Sequence, residues 1–241
     1  MAELILVMGK SGVGKSTSLR TLPPSQTIVL SPNAKSLPFA QSAKNYVRGQ
    51  NLFVNNNMMG GSDDAKFALE KVDIKAFIRT VAEKAPGVRY LVIEDFTHYF
   101  SSRILSKSFL AQNSGNAAFQ RWNQFGADVY DTIFRDTQNL REDLYIILLH
   151  HTSLNEEGYH AFKSPGKLLD NTIDVPSYFT YIFHAMTTQS EKQTNYVFQT
   201  NKDSIYHAKT PMGAFPELHI PNDMKVVLDT IDKYRGIGAA Q

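Results

Sequence analysis

Eight residues near the start of the chain, Gly9-Lys10-Ser11-Gly12-Val13-Gly14-Lys15-Ser16, follow the pattern G-x-x-x-x-G-K-[ST]. Glycines at this spacing allow consecutive backbone N–H groups to turn inward on a single anion. Lys15 has the charge and reach for the β and γ phosphates of a nucleoside triphosphate. Ser16 offers a hydroxyl to Mg²⁺, and Thr17 stands next in line for the α phosphate. Gly9, Ser11, Gly12, Val13, Gly14, Lys15, Ser16 and Thr17 are therefore the expected binding set for ATP, or a similar nucleotide, with Mg²⁺.

Two further groups are placed to act on such a ligand. Tyr90-Leu91-Val92-Ile93 is a buried-strand pattern that ends in Glu94-Asp95, and a carboxylate at the end of a neighbouring strand helps hold magnesium in sites of this kind. Glu94 stands at the metal side, where Asp is usual, and Asp95 is then the group that orients the attacking water, although the two can exchange roles. His150-His151 closes another apolar run and can sense the γ phosphate by hydrogen bonding. Adjacent residues of a strand point to opposite faces, which argues against the pair as one metal site.

The elements that must carry these groups read as alternating strands and helices. Glu3 to Met8 is a strand, and the loop leads into a helix from about Lys15 to Leu22, stopped by Pro23-Pro24. Thr27 to Leu30 is a second strand, followed by a polar, irregular stretch from Ser31 to Asp64 with a short strand at Leu52 to Val54. Ile74, Phe77, Ile78 and Val81 recur at helical spacing, and Pro86-Gly87 ends that helix. After Tyr90 to Ile93 come a helix from Thr97 to Leu110, a break at 112–116, and a long helix from about Ala117 to Arg141. Leu144 to Leu149 is the next strand. Strands at Phe179 to Met186 and Asn195 to Gln199, joined by a hairpin over Ser190 to Thr194, and a helix from Asp223 to Tyr234 complete the chain. The class implied is α/β: a mostly parallel sheet with helices on both faces and an antiparallel C-terminal edge.

With 241 residues, 42% of them hydrophobic, the chain fits one domain spanning 1–241 with a real core. It has no cysteine, which excludes disulfides, thiolate metal sites and cysteine nucleophiles. The net charge of +2 neither requires nor forbids a nucleic-acid partner. No apolar run approaches the ~18 residues of a membrane span, so a cytoplasmic protein without membrane contact is expected.

The order of the later segments resembles the phage-encoded RecA-like (AAA-type) P-loop ATPases, related to Sak-type single-strand annealing proteins. The segments are GKSGVGKST, LSPNAKSLPF, YLVIEDFTHYF, YIILLHHTS, KSPGKLLDN, AKTPMGAF and IPNDMKVVLDTIDKY. The resemblance implies a RecA-like core, ATP hydrolysis, assembly into rings or filaments, a role in DNA recombination, single-strand annealing or replication, and a host-cell cytoplasmic location. It also implies that late lysines, here Lys202 and Lys209, reach phosphates bound by the next subunit. One departure is visible: Ser31-Pro32-Asn33 stands after the second strand, where RecA has a catalytic glutamate.

The same resemblance points to two regions for single-stranded DNA. One carries Arg103, Lys107 and Arg121 among Phe109, Phe119 and Trp122, and the other, Thr152 to Lys167, carries Tyr159, His160, Phe162, Lys163 and Lys167. Basic residues interleaved with aromatics suit a charged backbone with stackable bases. A small-molecule kinase is the rival enzyme class, but no arginine-rich lid is present. A nucleotide-gated partner of phage replication or packaging, binding without turnover, is the non-enzymatic alternative.

Overall fold

Strands that are apolar at every position must be covered on both faces, and the sheet here is covered in that way. The structure, a computed structural model, describes residues 1–33, 35–55, 65–111, 115–190 and 193–237. Its strands are β1 (Glu3–Gly9), β2 (Thr27–Ser31), β3 (Leu52–Val54), β4 (Tyr90–Ile93), β5 (Tyr145–Leu154), β6 (His160–Phe162), β7 (Tyr181–Gln189), β8 (Thr194–Gln199) and β9 (His219–Pro221). The α-helices are α1 (Ser42–Asn45), α2 (Ile74–Lys84), α3 (Phe96–Ile104), α4 (Lys107–Ala111), α5 (Gly115–Tyr130), α6 (Lys167–Asp170) and α7 (Met224–Arg235). The sheet runs β3-β2-β4-β5-β1-β7-β8-β9 and β6 pairs with β5. Pairing is parallel from β3 to β7 and antiparallel through β8 and β9. The α/β class, the mostly parallel sheet and the antiparallel C-terminal edge are as expected. The histidine-tipped strand β5 lies beside the acidic strand β4, between it and the loop-bearing β1.

Strand parity divides the core in two. Leu4, Leu6, Met8, Leu91, Ile93, Ile146 and Leu148 face one side, where Phe77, Phe96, Phe100 and Phe125 of α2, α3 and α5 pack on them. Ile5, Val7, Val92, Ile147 and Leu149 face the other, covered by Leu19, Leu22 and the Met224, Val227, Leu228 and Ile231 stripe of α7. Asp223 caps α7 by accepting from the Val226 amide at 3.1 Å.

Several boundaries differ from expectation. The helix after the phosphate loop is a six-residue 3₁₀ turn, Ser16–Thr21. The predicted Thr97–Leu110 helix is two, α3 and α4, interrupted at Leu105-Ser106. The long helix keeps α geometry only to Tyr130, passes through a π turn at Asp131–Arg135, and does not reach Arg141. At the change Thr132 Oγ1 donates to the Asp128 carbonyl at 2.7 Å, a back-bond that distorts the helical ladder. β5 runs five residues beyond Leu149 because β6 pairs with its end, so the predicted loop Thr152–Lys167 begins as a β-hairpin. Most of the predicted break at 112–116 lies outside the described residues.

The β3 edge is held by a buried carboxylate. Glu70 oxygens accept from Arg48 Nε and Nη2 at 3.1 and 3.0 Å, and from the Val54 and Lys66 amides at 2.9 and 3.2 Å. Burial pushes its pKa up, but the Arg48 hydrogen bond and the amides prevail, so the net shift is downward. Its stabilisation is therefore present above the unfolded pKa and lost as pH falls through the lower folded one. Glu70→Ala should cost about 3 kcal/mol in denaturant unfolding at neutral pH. A loss within about 0.5 kcal/mol, the range of ordinary surface changes, would contradict this reading.

Candidate nucleotide-binding site

The parity that splits the core also chooses the site residues. Ser31 follows Val29, Glu94 follows Val92 and His151 follows Leu149, so all three project to the face that carries the Ser16–Thr21 turn. The loop leaves β1 at Gly9, where an added Cβ would lie 2.5 Å from the Ala185 carbonyl oxygen of β7. Gly14 has φ +92, and a Cβ there would lie 2.9 Å from the Tyr196 ring. Neither position admits a side chain. The expected positive helix end is weaker than anticipated, because the turn is a short 3₁₀ segment, and the anion cradle rests on the loop amides themselves.

A cavity of about 520 Å³ opens above this loop, within the range that holds a nucleotide-sized ligand. Ser11, Gly12, Gly14, Lys15, Ser16 and Thr17 line it from the loop. Glu94, Asp95 and His151 line it from the strand ends, Asn33, Lys35, Ser36 and Pro38 from the β2 side, and Tyr196 from β8. Gly9 and Val13, also expected in the binding set, are not among the lining residues and pack close to each other in the turn. The Ser16 hydroxyl and the Glu94 carboxylate thus share one cavity, and these two oxygen ligands would suit a hydrated Mg²⁺. Among the described residues no group of three or more His, Cys, Asp or Glu could hold a metal ion.

Lys15 is buried. Its Nζ donates to the Gly9 and Lys10 carbonyl oxygens, each at 2.8 Å, and lies 3.4 Å from His151 Nδ1. Burial lowers its pKa to about 8, against the opposing pull of Asp95 and Glu94. His151 is also pushed down, first by burial and then by Lys15, and is therefore neutral at pH 7. A neutral ring that accepts from Lys15 at Nδ1 carries its proton on Nε2, and Nε2 stands 3.6 Å from Asp95 Oδ1. Lysine, imidazole and carboxylate thus follow one another in the cavity lining.

The carboxylates are held differently. Glu94 Oε2 accepts from Ser31 Oγ at 2.8 Å, so the serine at the end of β2 braces the acid on β4. Asp95 adopts a left-handed conformation, φ 51 and ψ 54, at the turn into α3. Such backbone costs a non-glycine residue on the order of 1 kcal/mol and gathers at functional sites. Asp and Asn tolerate it best.

His150 is corrected. It belongs to the opposite face with Ile146 and Leu148, is fully buried, and stacks on Phe162 with ring centres 3.7 Å apart. Its Nε2 donates to the Lys163 carbonyl at 3.0 Å, and its Nδ1 accepts from Thr97 Oγ1 at 3.1 Å. Burial drives its pKa to about 3. It is a neutral brace between α3 and the β5–β6 hairpin, turned away from the cavity, while His151 lines the cavity. Thr97 Oγ1 also accepts from the His151 amide at 2.8 Å and so ties both histidines to α3.

The residues anticipated for DNA divide. Arg103 pairs with Asp128 at 3.4 Å, and Arg121 donates to the Phe109 carbonyl at 2.8 Å while lying over its ring. Phe109 is buried and Trp122 packs on the core, so this part of the first region is internal scaffolding. Lys107, Phe119, Lys163 and Lys167 are exposed, the last beside Glu156 at 3.3 Å, and Tyr159 is half-buried. Lys202 is exposed and Lys209 half-buried, and neither lines the cavity. Thr97 and Tyr196 are not singled out by the sequence, and Ser31 stands out there only as the absence of a carboxylate. Their roles come from pairing across the sheet, and only the place of Thr97 just after the acidic pair was a local signal.

The chain matches no protein-family model and no curated protein. Among solved structures it is similar to the flagellar accessory protein FlaH from Methanocaldococcus jannaschii, with 10% identity and a TM-score of 0.44 over 90% of this chain and 83% of that one.

The depressed Lys15 pKa has a measurable consequence. A phosphate partner raises it again, so nucleotide binding takes up a proton once pH exceeds about 8. Affinity should then fall by up to about tenfold per pH unit above that point. Calorimetry in buffers of different ionisation enthalpy reads the uptake directly. Binding at pH 9 with no proton uptake would refute it.

Proposed function

We propose that the chain binds Mg·ATP, or a closely related nucleoside triphosphate, in this cavity and hydrolyses it, as a RecA-like ATPase. The observation that carries this reading is the convergence of Lys15, Glu94, Asp95 and His151 on one cavity over a phosphate loop. Lys15 exchanges two carbonyl partners for phosphate oxygens and counters their charge. Ser16 and Glu94 would hold the magnesium, which supplies charge neutralisation at the phosphates. Asp95 orients the water that attacks the γ phosphorus, and the bond to the bridging oxygen of the leaving diphosphate breaks. His151, neutral and already linked to Lys15 and Asp95, reports the γ group to α3 through Thr97.

The wider role proposed is in DNA recombination, single-strand annealing or replication. Its support is the resemblance in segment order together with the exposed Lys107, Lys163, Lys167 and Phe119. Self-association into a ring or filament, with Lys202 or Lys209 reaching the neighbour's phosphates, belongs to the same proposal. A second reading, binding without turnover, is favoured by one observation alone: the tip of β2 offers Ser31 where a catalytic carboxylate would stand.

Asp95→Asn separates the two readings, because asparagine accepts the left-handed backbone. Turnover should fall about 10²–10³-fold while ATP binding persists, and Lys15→Ala should lose binding itself. An Asp95→Asn protein as active as wild type would remove the assigned role. Single-stranded DNA should raise ATPase activity and bind with a log–log salt slope near −0.7 per phosphate neutralised. Absence of binding at ~50 mM salt, with and without an ATP analogue, would remove the DNA role.

A further inference from the structure

Tyr196 lies at the far end of the cavity from the acids. In the order β4-β5-β1-β7-β8, Glu94 and Asp95 sit two strands to one side of the phosphate loop and Tyr196 two strands to the other. Phe198 is in the core on the phosphate face, so Tyr196, two residues earlier, projects to that face as well. The β7–β8 hairpin extends past the end of β1, with Tyr196 paired to Thr187, and carries the ring over Gly14. Tyr196 is nonetheless 48% exposed, and it is the only Phe, Tyr or Trp lining the cavity among the described residues.

We propose that Tyr196 is the platform on which the base of the bound nucleotide stacks, a purine by preference because it offers the larger ring area. This rests on the triphosphate reading above. With the γ phosphate facing Glu94, Asp95 and His151, the α phosphate points to the opposite side of the loop, and the nucleoside continues toward β8. Glycine at position 14 is what lets the ring approach so closely. The phosphate loop itself is blind to the base, so this corner is where the site tells a nucleoside triphosphate from a bare polyphosphate.

The test compares Mg·ATP with inorganic tripolyphosphate on wild type, Tyr196→Ala and Tyr196→Phe. Wild type should prefer ATP. Tyr196→Ala should weaken ATP about tenfold or more, the scale of lost base–aromatic stacking, and leave tripolyphosphate within about twofold, which also certifies the fold. Tyr196→Phe, which keeps the ring face, should restore ATP affinity. An unchanged ATP affinity in Tyr196→Ala, or equal weakening of both ligands, overturns the subsite while leaving the phosphate site standing. A wild type that takes up neither ligand removes the phosphate site, and the subsite with it.

Discussion

An ammonium group taken out of water is the constraint around which this site is built. Lys15 loses hydration inside the loop and is compensated by two carbonyl dipoles, one imidazole and the field of two carboxylates. Compensation by neutral dipoles is incomplete, as the drop of its pKa to about 8 records. The loop therefore holds a cation that gains more from a phosphate than from its present partners. That imbalance would favour an anionic ligand, and the ammonium makes the neighbouring carboxylates tolerable at short range.

The sheet supplies the geometry. Because alternate residues of a strand share a face, Glu94 and His151 reach one cavity from two strands and Ser31 braces Glu94 from a third, while their chain neighbours Leu30, Ile93 and His150 anchor the opposite core. The histidine pair shows how sharp the division is: two identical side chains one residue apart, one lining the cavity and one sealed against Phe162. Thr97 joins them, accepting from the His151 amide and donating to the His150 ring. The wall of the cavity is thereby connected to α3 and to the β5–β6 hairpin.

The strands and the loop could be read from the chain because their signals are local: continuous apolar runs, a glycine pattern, and carboxylates at a strand end. Helix limits were less legible, since the interruption at Leu105-Ser106 and the π turn after Tyr130 answer to packing and to the Thr132 back-bond. β6 has three residues and no alternation to announce it; its partner is the overrun of β5. Arg103 and Arg121 illustrate a further limit. Basic residues among aromatics look alike whether they await a nucleic acid or brace a helix pair, and only the contacts with Asp128 and the Phe109 carbonyl tell the cases apart. Tyr196 depended on a hairpin reaching over Gly14, a contact between positions far apart in the chain.

Amide hydrogen exchange across residues 9–17, with and without Mg²⁺ and a non-hydrolysable ATP analogue, bears most directly on the phosphate-loop assignment. Amides that close on phosphate oxygens should exchange at least about tenfold more slowly, with protection concentrated at Gly12 to Ser16 and much reduced in Lys15→Ala. Exchange in this segment that is unchanged at saturating analogue would contradict the account.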